Sequence, residues 1–342
     1  MRSFANAFTR TSLIALFAIV GVFMTACSGG GGSGSSPLPS QGGAQPKSTI
    51  HKVTVVSKAS IPSVMAKLIQ HGAFYSPRKG VPVPLLKNLR TPQSINAGYD
   101  LSNYGGPVQS GANEYNILVN CNDESCWGGL ISGFQNNLFA STMMNSDILP
   151  QYNAAGTYAF AGDYPASYNT SAQLQDSDIF NILYSVITAN ALPTGYGSEF
   201  HVFLGQGVEE CSSSAGGCYS PSNPSTWAFC AYHGSNDWSD IGHVLYSVEP
   251  YQDVSGCQVS TLPSPNGSLV DSTASTLSHE TFETITDPDV GINNLGWYNS
   301  SKGEIGDLCA PGGGVSTGNV NLNGATYEIQ MEYNNSVHDC SY

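Results

Sequence analysis

The chain has 342 residues, of which 40% are hydrophobic and only 11% charged, against a usual charged share of about 25%. This much apolar material excludes wholesale disorder, and the 38 glycines and 18 tyrosines are typical of a secreted, strand-rich protein. The formal net charge of −14 argues against a nucleic-acid-binding protein and against adsorption to an anionic membrane, because both need clustered basic side chains.

Residues 1–26 predict a lipoprotein signal peptide. Arg2 and Arg10 lie near an apolar run, 13–24, that has the length of a secretory signal and is too short to span a bilayer comfortably. The run ends in Met-Thr-Ala-Cys27, which resembles the lipobox of bacterial lipoproteins, with Met where Leu is commoner. We expect lipid on Cys27 as the only membrane attachment, and the Gly/Ser-rich residues 27–48 to tether an exported domain to the cell envelope. The alternative is an ordinary secretory signal followed by a chance cysteine.

Eight cysteines remain after Cys27, and an even number in an exported protein predicts four disulfides. The sequence alone leaves their connectivity open. Pairing nearest neighbours gives Cys121–Cys126, Cys211–Cys218, Cys230–Cys257 and Cys309–Cys340. A zinc ribbon is the rival interpretation, but the sequence contains no C-x-x-C pair.

The rest of the chain divides into an N-terminal strap, residues 49–109, and one α/β domain, residues 110–342. The strap holds a strand-like run at 50–56 and a short helix candidate at 61–70. In the domain, hydrophobic spacing predicts a helix over 174–191, with further helix candidates at 130–144 and 275–286. Strand candidates lie at 115–119, 158–160, 201–204, 229–233, 244–248, 296–298 and 325–333.

One segment, residues 277–288, carries candidate chemistry. On a helix, His279 and Glu283 lie one turn apart and project from the same face, while Glu280 is offset by about 100°. This copies the HExxH pattern, in which two ligands hold zinc and the intervening Glu handles a proton of water. Glu283 replaces the second His, and a carboxylate is a legitimate zinc ligand. The alternative is an amphipathic helix with a solvated acidic face.

The same segment begins a longer pattern, which continues as His279-Glu280-x-x-Glu283-x-x-Thr286-Asp287-Pro288, then Trp297-Tyr298, then Glu304-Ile305-Gly306-Asp307-Leu308-Cys309. In the joint spacing of these blocks, and over about residues 110–342, the chain resembles the phosphate-induced protein (EXORDIUM-like) family and its bacterial secreted relatives. The resemblance implies a zincin-like α/β fold, in which a mixed, strand-rich sheet packs on a helix that bears HExxE. It implies no established chemistry.

A catalytic zinc ion usually has three protein ligands and a water molecule. The downstream candidates for the third ligand are Asp287, Asp289, Glu304 and Asp307. We favour Asp307, because the resemblance includes its block and a disulfide at Cys309 would fix its strand. Glu304 is the alternative ligand, and a surface turn is the non-functional interpretation of both.

Three other histidines of the domain, His201, His233 and His243, are interpreted as packed or hydrogen-bonded side chains. One histidine with two carboxylates would leave zinc neutral, so water activation near neutral pH would be harder than with three histidines. The same oxygen-rich donor set would also suit harder cations.

Two hypotheses of different classes follow. The first is an exported, lipid-anchored, zinc-dependent hydrolase, most simply a metallopeptidase acting on extracellular peptides or proteins. In it His279, Glu283 and Asp307 bind Zn²⁺ and Glu280 is the general base. The second is a non-catalytic cell-surface protein that binds cell-wall glycan or a protein partner through aromatic side chains.

Overall fold

The computed structural model describes residues 50–55, 100–213, 217–259, 264–290, 294–309 and 317–342. The chain divides into two units between Ser48 and Thr49, and every described residue belongs to the second unit. The predicted signal peptide, Cys27, the tether and the helix candidate at 61–70 lie outside the described residues. Within the described ranges, no helix combines the length and the apolar character that a membrane crossing requires.

Three α-helices occur among the described residues, α1 (Ile131–Phe139), α2 (Asp176–Asn190) and α3 (Ser268–Thr286). The strands, in chain order, are β1 (Val53–Thr54), β2 (Ser102–Asn103), β3 (Gly111–Val119), β4 (Thr157–Ser167), β5 (Leu174–Gln175), β6 (Ser198–Phe203), β7 (Glu210–Ser212), β8 (Gly217–Tyr219), β9 (Tyr232–Trp238), β10 (Gly242–Glu249), β11 (Trp297–Tyr298), β12 (Thr317–Leu322), β13 (Ala325–Gln330), β14 (Glu332–Asn334) and β15 (Asp339–Ser341).

The central sheet has six strands in the order β1-β4-β3-β6-β10-β9. Every neighbouring pair is parallel except β10 and β9, which form an antiparallel hairpin at one edge. The smaller sheets are β5-β7-β8, β2-β11, β12-β13 and β14-β15. The fold is therefore mixed α/β and strand-rich, as the sequence predicted.

The two faces of the central sheet pack in different cores. Because side chains alternate along a strand, Tyr115 and Phe200 join the core around α2, whereas Leu118 and Phe203 join the core around α1 and α3. Helix α3 contacts β9 and β10 on one side and β13 on another. Each residue from Asp271 to Thr286 is buried, so α3 is an interior helix.

The predicted helices differ from the observed ones mainly at their ends. Helix α2 is close to the prediction, because Gln175 and Asp178 form a capping box at its start and Ala191 adopts a left-handed conformation at its end. Helix α1 stops at Phe139, and a separate wide turn follows at Met143–Asp147. Helix α3 begins seven residues earlier than predicted, since its first turns are rich in Ser and Thr, which have low helix propensity.

Two strand predictions are also corrected. Strand β9 begins at Tyr232 rather than at residue 229, and the predicted strand 325–333 is divided into β13 and β14. The strand predictions at 115–119, 158–160 and 244–248 lie inside β3, β4 and β10. The sequence located most strands of the central sheet but not all of their ends.

All four predicted disulfides are present: Cys121–Cys126, Cys211–Cys218, Cys230–Cys257 and Cys309–Cys340. The last one joins β15 to a 3₁₀ turn, Asp307–Cys309. Such a set of disulfides indicates that the protein folds in an oxidising, extracellular type of environment.

Candidate metal centre

The helix with the HExxE motif is in the interior. His279, Glu280 and Glu283 are all 0% exposed, so the interpretation of α3 as an amphipathic helix with a solvated acidic face is wrong. In the turn that follows, Glu304 is 0% exposed and Asp307 is half-buried, so the interpretation as a surface turn is wrong. Buried ionised carboxylates are costly unless a positive charge or hydrogen-bond donors compensate them.

The carboxylate of Glu283 is the centre of this cluster. Its Oε1 lies 3.0 Å from Nε2 of His279, and its Oε2 lies 3.6 Å from Nε2 of His233. The same His233 nitrogen lies 3.3 Å from both oxygens of Glu304. Asp307 offers an oxygen within 4.8 Å of the ligand atoms of His279 and Glu283, and its backbone N–H donates to Glu283 Oε1 at 3.1 Å. The structure thus brings together the predicted residues His279, Glu283, Asp307 and Glu304.

His233 is the residue of this cluster that sequence reasoning missed. Its Nε2 is hydrogen-bonded to Glu304, as a structural histidine would be, but the same nitrogen also faces Glu283. The side chain reaches this position because β9 is the edge strand whose alternate residues face α3. The signal in the sequence was the alternation of His233, Ser235 and Asp237 with Tyr232 and Trp238, which places polar groups on one face of a strand.

Asp307 lies in a 3₁₀ turn and not on the predicted strand. A β-carbon on Gly306 would overlap the imidazole ring of His279, so glycine allows the turn to pack directly against this ring. The backbone N–H of Tyr333 donates to the carbonyl of Ile305 at 3.0 Å and fixes the turn to β14. The Asp307 carboxylate therefore owes its position to a glycine contact and a neighbouring strand.

Gln330, at the end of β13, orients the ring of His279 from the other side. Its Nε2 lies 3.1 Å from Nδ1 of His279 and donates to the carbonyl oxygen of Gly306 at 2.7 Å. Because an amide nitrogen can only donate, Nδ1 accepts in this contact and Nε2 carries the ring hydrogen toward Glu283. Binding of a metal ion through Nε2 would need the other tautomer, in which Nδ1–H donates to its partner. The Gln330 side chain thus links the imidazole ring and the Glu304–Asp307 turn.

Burial dominates the electrostatics of the cluster. It raises the pKa of Glu280 and of Glu304 well above their usual range, and the charge of Glu283 adds to both shifts. Burial and Glu283 also raise the pKa of Asp307 to about 8. Burial lowers the pKa of His233 to about 4, against the charge of Glu283. The Asp307 carboxyl group therefore keeps its proton near neutral pH unless a cation compensates its charge.

Glu283 belongs to two groups of possible ligands. One group is His279, Glu283 and Asp307, and the other is His233, Glu283 and Glu304; in each group, one ligand atom from each residue lies within 4.8 Å of the others. The two imidazoles are in different groups, so each group offers one histidine and two carboxylates, which would neutralise a divalent ion. Such an oxygen-rich set suits zinc and also harder cations.

The other two predicted ligand candidates lie outside this cluster. Asp287 accepts a hydrogen bond from the backbone N–H of Gly296 at 2.8 Å, and burial raises its pKa to about 7. Asp289 accepts hydrogen bonds from Tyr196 at 2.6 Å and from Ser235 at 2.9 Å, and its Oδ1 lies 3.1 Å from Nε2 of His243. Both aspartates hold the end of α3 in place.

Comparison of the chain with protein-family models, with curated proteins and with solved structures finds no match. The resemblance to the phosphate-induced protein family and the zincin-like fold that it implies therefore stay predictions. The residues around Glu283 are therefore the basis for a functional proposal.

Proposed function

We propose that the protein is an exported metal-dependent hydrolase of the metallopeptidase class. The observation that supports this is the position of Glu283, on a helix with the HExxE motif, between two groups of possible ligands, His279 with Asp307 and His233 with Glu304. His279 and Glu283 hold the ion and Asp307 completes the set, with Glu304 as the alternative third ligand. The substrates are extracellular peptides or proteins.

Within this proposal each side chain has a separate role. A bound zinc ion would polarise the substrate carbonyl group and acidify a water molecule. Glu280 would accept the proton, because it follows His279 in the HExxE motif and, among the described residues, no hydrogen-bond partner occupies either of its carboxylate oxygens. Gln330 would hold the ring of His279 in its orientation.

The location outside the cell is part of the proposal. The four disulfides support an exported protein. We further propose that lipid on Cys27 anchors it to the bacterial cell envelope, with residues 27–48 as the tether.

A second candidate function is favoured by the complete burial of the cluster. His279, Glu280 and Glu283 are 0% exposed, which is typical of a structural metal site, whereas a catalytic site keeps one position open to water. In this case the ion would stabilise a non-catalytic surface protein. Exposed aromatic rings such as Tyr104 and Tyr196, which are 53% and 40% exposed, could then contact cell-wall glycan or a protein partner.

Three variants separate these functions when metal content and peptidase activity are measured together. We expect Glu280→Gln to keep the metal and to lose at least about 100-fold in activity, because an amide cannot accept the proton of water. His279→Ala and Glu283→Ala should lose the metal itself.

The matched control is Glu210→Gln. Glu210 is also fully buried, but it is on β7 and hydrogen-bonds Tyr232 on the α2 side of the sheet. It should keep both metal and activity. A zinc-loaded parent without activity would favour the structural role, and a folded parent that binds no metal would refute the centre itself.

A further inference from the structure

A second cluster of polar side chains lies on the face of the sheet that packs against α1 and α3. Asn116, His201, Ser247 and His233 are direct neighbours across β3, β6, β10 and β9. Glu114 and Glu199 are paired in the next row of the same face. The central strands of a parallel sheet are usually apolar on both faces, so this row needs an explanation other than packing.

Three of these strands are connected by a chain of polar contacts. Glu114 Oε2 lies 3.0 Å from Nε2 of His201. The other ring nitrogen, Nδ1, lies 2.8 Å from the hydroxyl oxygen of Ser247. Ser247 in turn donates to Glu249 Oε1 at 2.8 Å. Glu199 Oε1 lies 3.8 Å from Nδ1 of His201. All five side chains are buried: Glu249 is 1% exposed, and the other four are 0% exposed.

The carboxylate of Glu199 is not satisfied by this arrangement. Among the described residues, no hydrogen bond of ordinary geometry reaches either of its oxygens. Burial raises the pKa of Glu199 well above its usual range, and the charges of Glu114 and Glu249 add to this, whereas His201 and the nearby Thr284 hydroxyl lower it. A fully buried carboxylate without a donor strongly destabilises the folded state if it stays ionised.

The hydrogen bonds in this chain of contacts need more hydrogens than Ser247 and His201 supply. The contacts Glu114–His201, His201–Ser247 and Ser247–Glu249 each need one hydrogen, but Ser247 and a neutral His201 supply only two. A proton on one of the glutamates can supply the third hydrogen, as burial favours. If His201 takes it instead and all three glutamates are ionised, two negative charges stay uncompensated. A divalent cation supplies this charge and the missing partner for Glu199.

We propose that Glu114, Glu199 and His201 form a second divalent-cation site, with Glu249 as a further carboxylate within the same cluster. The ligand atoms of the first three lie within 4.8 Å of one another, and none of them belongs to the groups around Glu283. One imidazole with several carboxylates suits a first-row divalent ion such as Mn²⁺ or Zn²⁺. This site does not depend on the proposed hydrolase function.

Metal stoichiometry tests the site. The full-length exported protein is stripped with a chelator, incubated with Zn²⁺ and Mn²⁺ together, separated from free ions and subjected to elemental analysis. We expect two divalent ions per chain in the parent, one in Glu199→Gln, one in Glu283→Gln and none in the double variant. Glu210→Gln is the control for replacing a buried glutamate elsewhere and should keep two.

The outcomes distinguish the two sites. If Glu199→Gln binds as many ions as the parent, the second site is refuted, whatever Glu283→Gln does. If Glu283→Gln alone keeps the parental number, the first centre fails and the second stands. Circular dichroism checks that each variant is folded. If Glu199→Gln does not fold, His201→Asn replaces it, with the same loss of one ion expected.

Discussion

Replacing Asp287 by Asn should flatten the pH dependence of stability. Asp287 is a buried carboxyl group at the end of α3, and burial raises its pKa from 3.8 to about 7. Between these two values the folded protein holds a proton that the unfolded chain has released, so the free energy of unfolding falls as the pH rises. Above the folded pKa the whole contribution has been lost.

The magnitude follows from the two pKa values. Each pKa unit corresponds to about 1.4 kcal/mol, so this single group removes about 3 kcal/mol of stability between pH 5 and pH 8. In Asp287→Asn the amide oxygen can still accept the N–H of Gly296, but there is no longer a proton to lose. Among the described residues, nothing hydrogen-bonds the second carboxylate oxygen, so the amide nitrogen that replaces it would add a constant cost of about 1–3 kcal/mol at every pH.

The assay is urea unfolding of parent and variant from pH 5 to pH 8, with disulfides intact and a chelator present. The change of unfolding free energy across this range is the readout, because the constant cost cancels. The control is Asp123→Asn, since Asp123 is exposed and hydrogen bonds from Ser125 lower its pKa, which leaves it ionised throughout the range. Parallel curves for parent and Asp287→Asn would refute the argument.

Three further predictions concern other parts of the chain. Cys27→Ser should release the protein from membranes or block its maturation, and a variant that still fractionates with membranes until detergent is added would contradict the lipid anchor. Protein expressed from residue 28 should show no reactive thiol after denaturation without reductant, because all eight of its cysteines are paired; two or more thiols would contradict this. Gly306→Ala should weaken metal binding at least about tenfold by displacing the ring of His279. In contrast, Gly197→Ala, where a β-carbon meets nothing within 4 Å, should bind as the parent does.

Local sequence patterns were enough to predict the parts of the site that lie within one element. The one-turn spacing of His279 and Glu283 places them together on any helix, and the observed distance of 3.0 Å between them follows from it. Pairing of neighbouring cysteines worked for a similar reason, because each pair is close in sequence, with separations of 5 to 31 residues.

The rest of the site depends on contacts between distant elements. His233 reaches Glu283 only through the pairing of β9 with β10 and the packing of α3 on that hairpin. Glu114 and Glu199 are on different strands, β3 and β6, and only the sheet order places them side by side. Asp307 was assigned to a strand because the contact of Gly306 with His279 cannot be inferred from local propensity.

The covering of α3 on more than one side has a consequence for which ion the protein would carry. In the described part of the chain, β9, β10 and β13 all contact this helix, and around Glu283 the side chains of His279, His233 and Glu304 are fully buried whereas Asp307 is half-buried. An ion bound there could exchange with solvent only as fast as the surrounding elements open. Its identity would then be decided by the ions present in the compartment where the chain folds, and not by relative affinities at equilibrium, which would otherwise favour copper over zinc. If the chain folds only after export, the ions available outside the cell would therefore determine which ion the site binds.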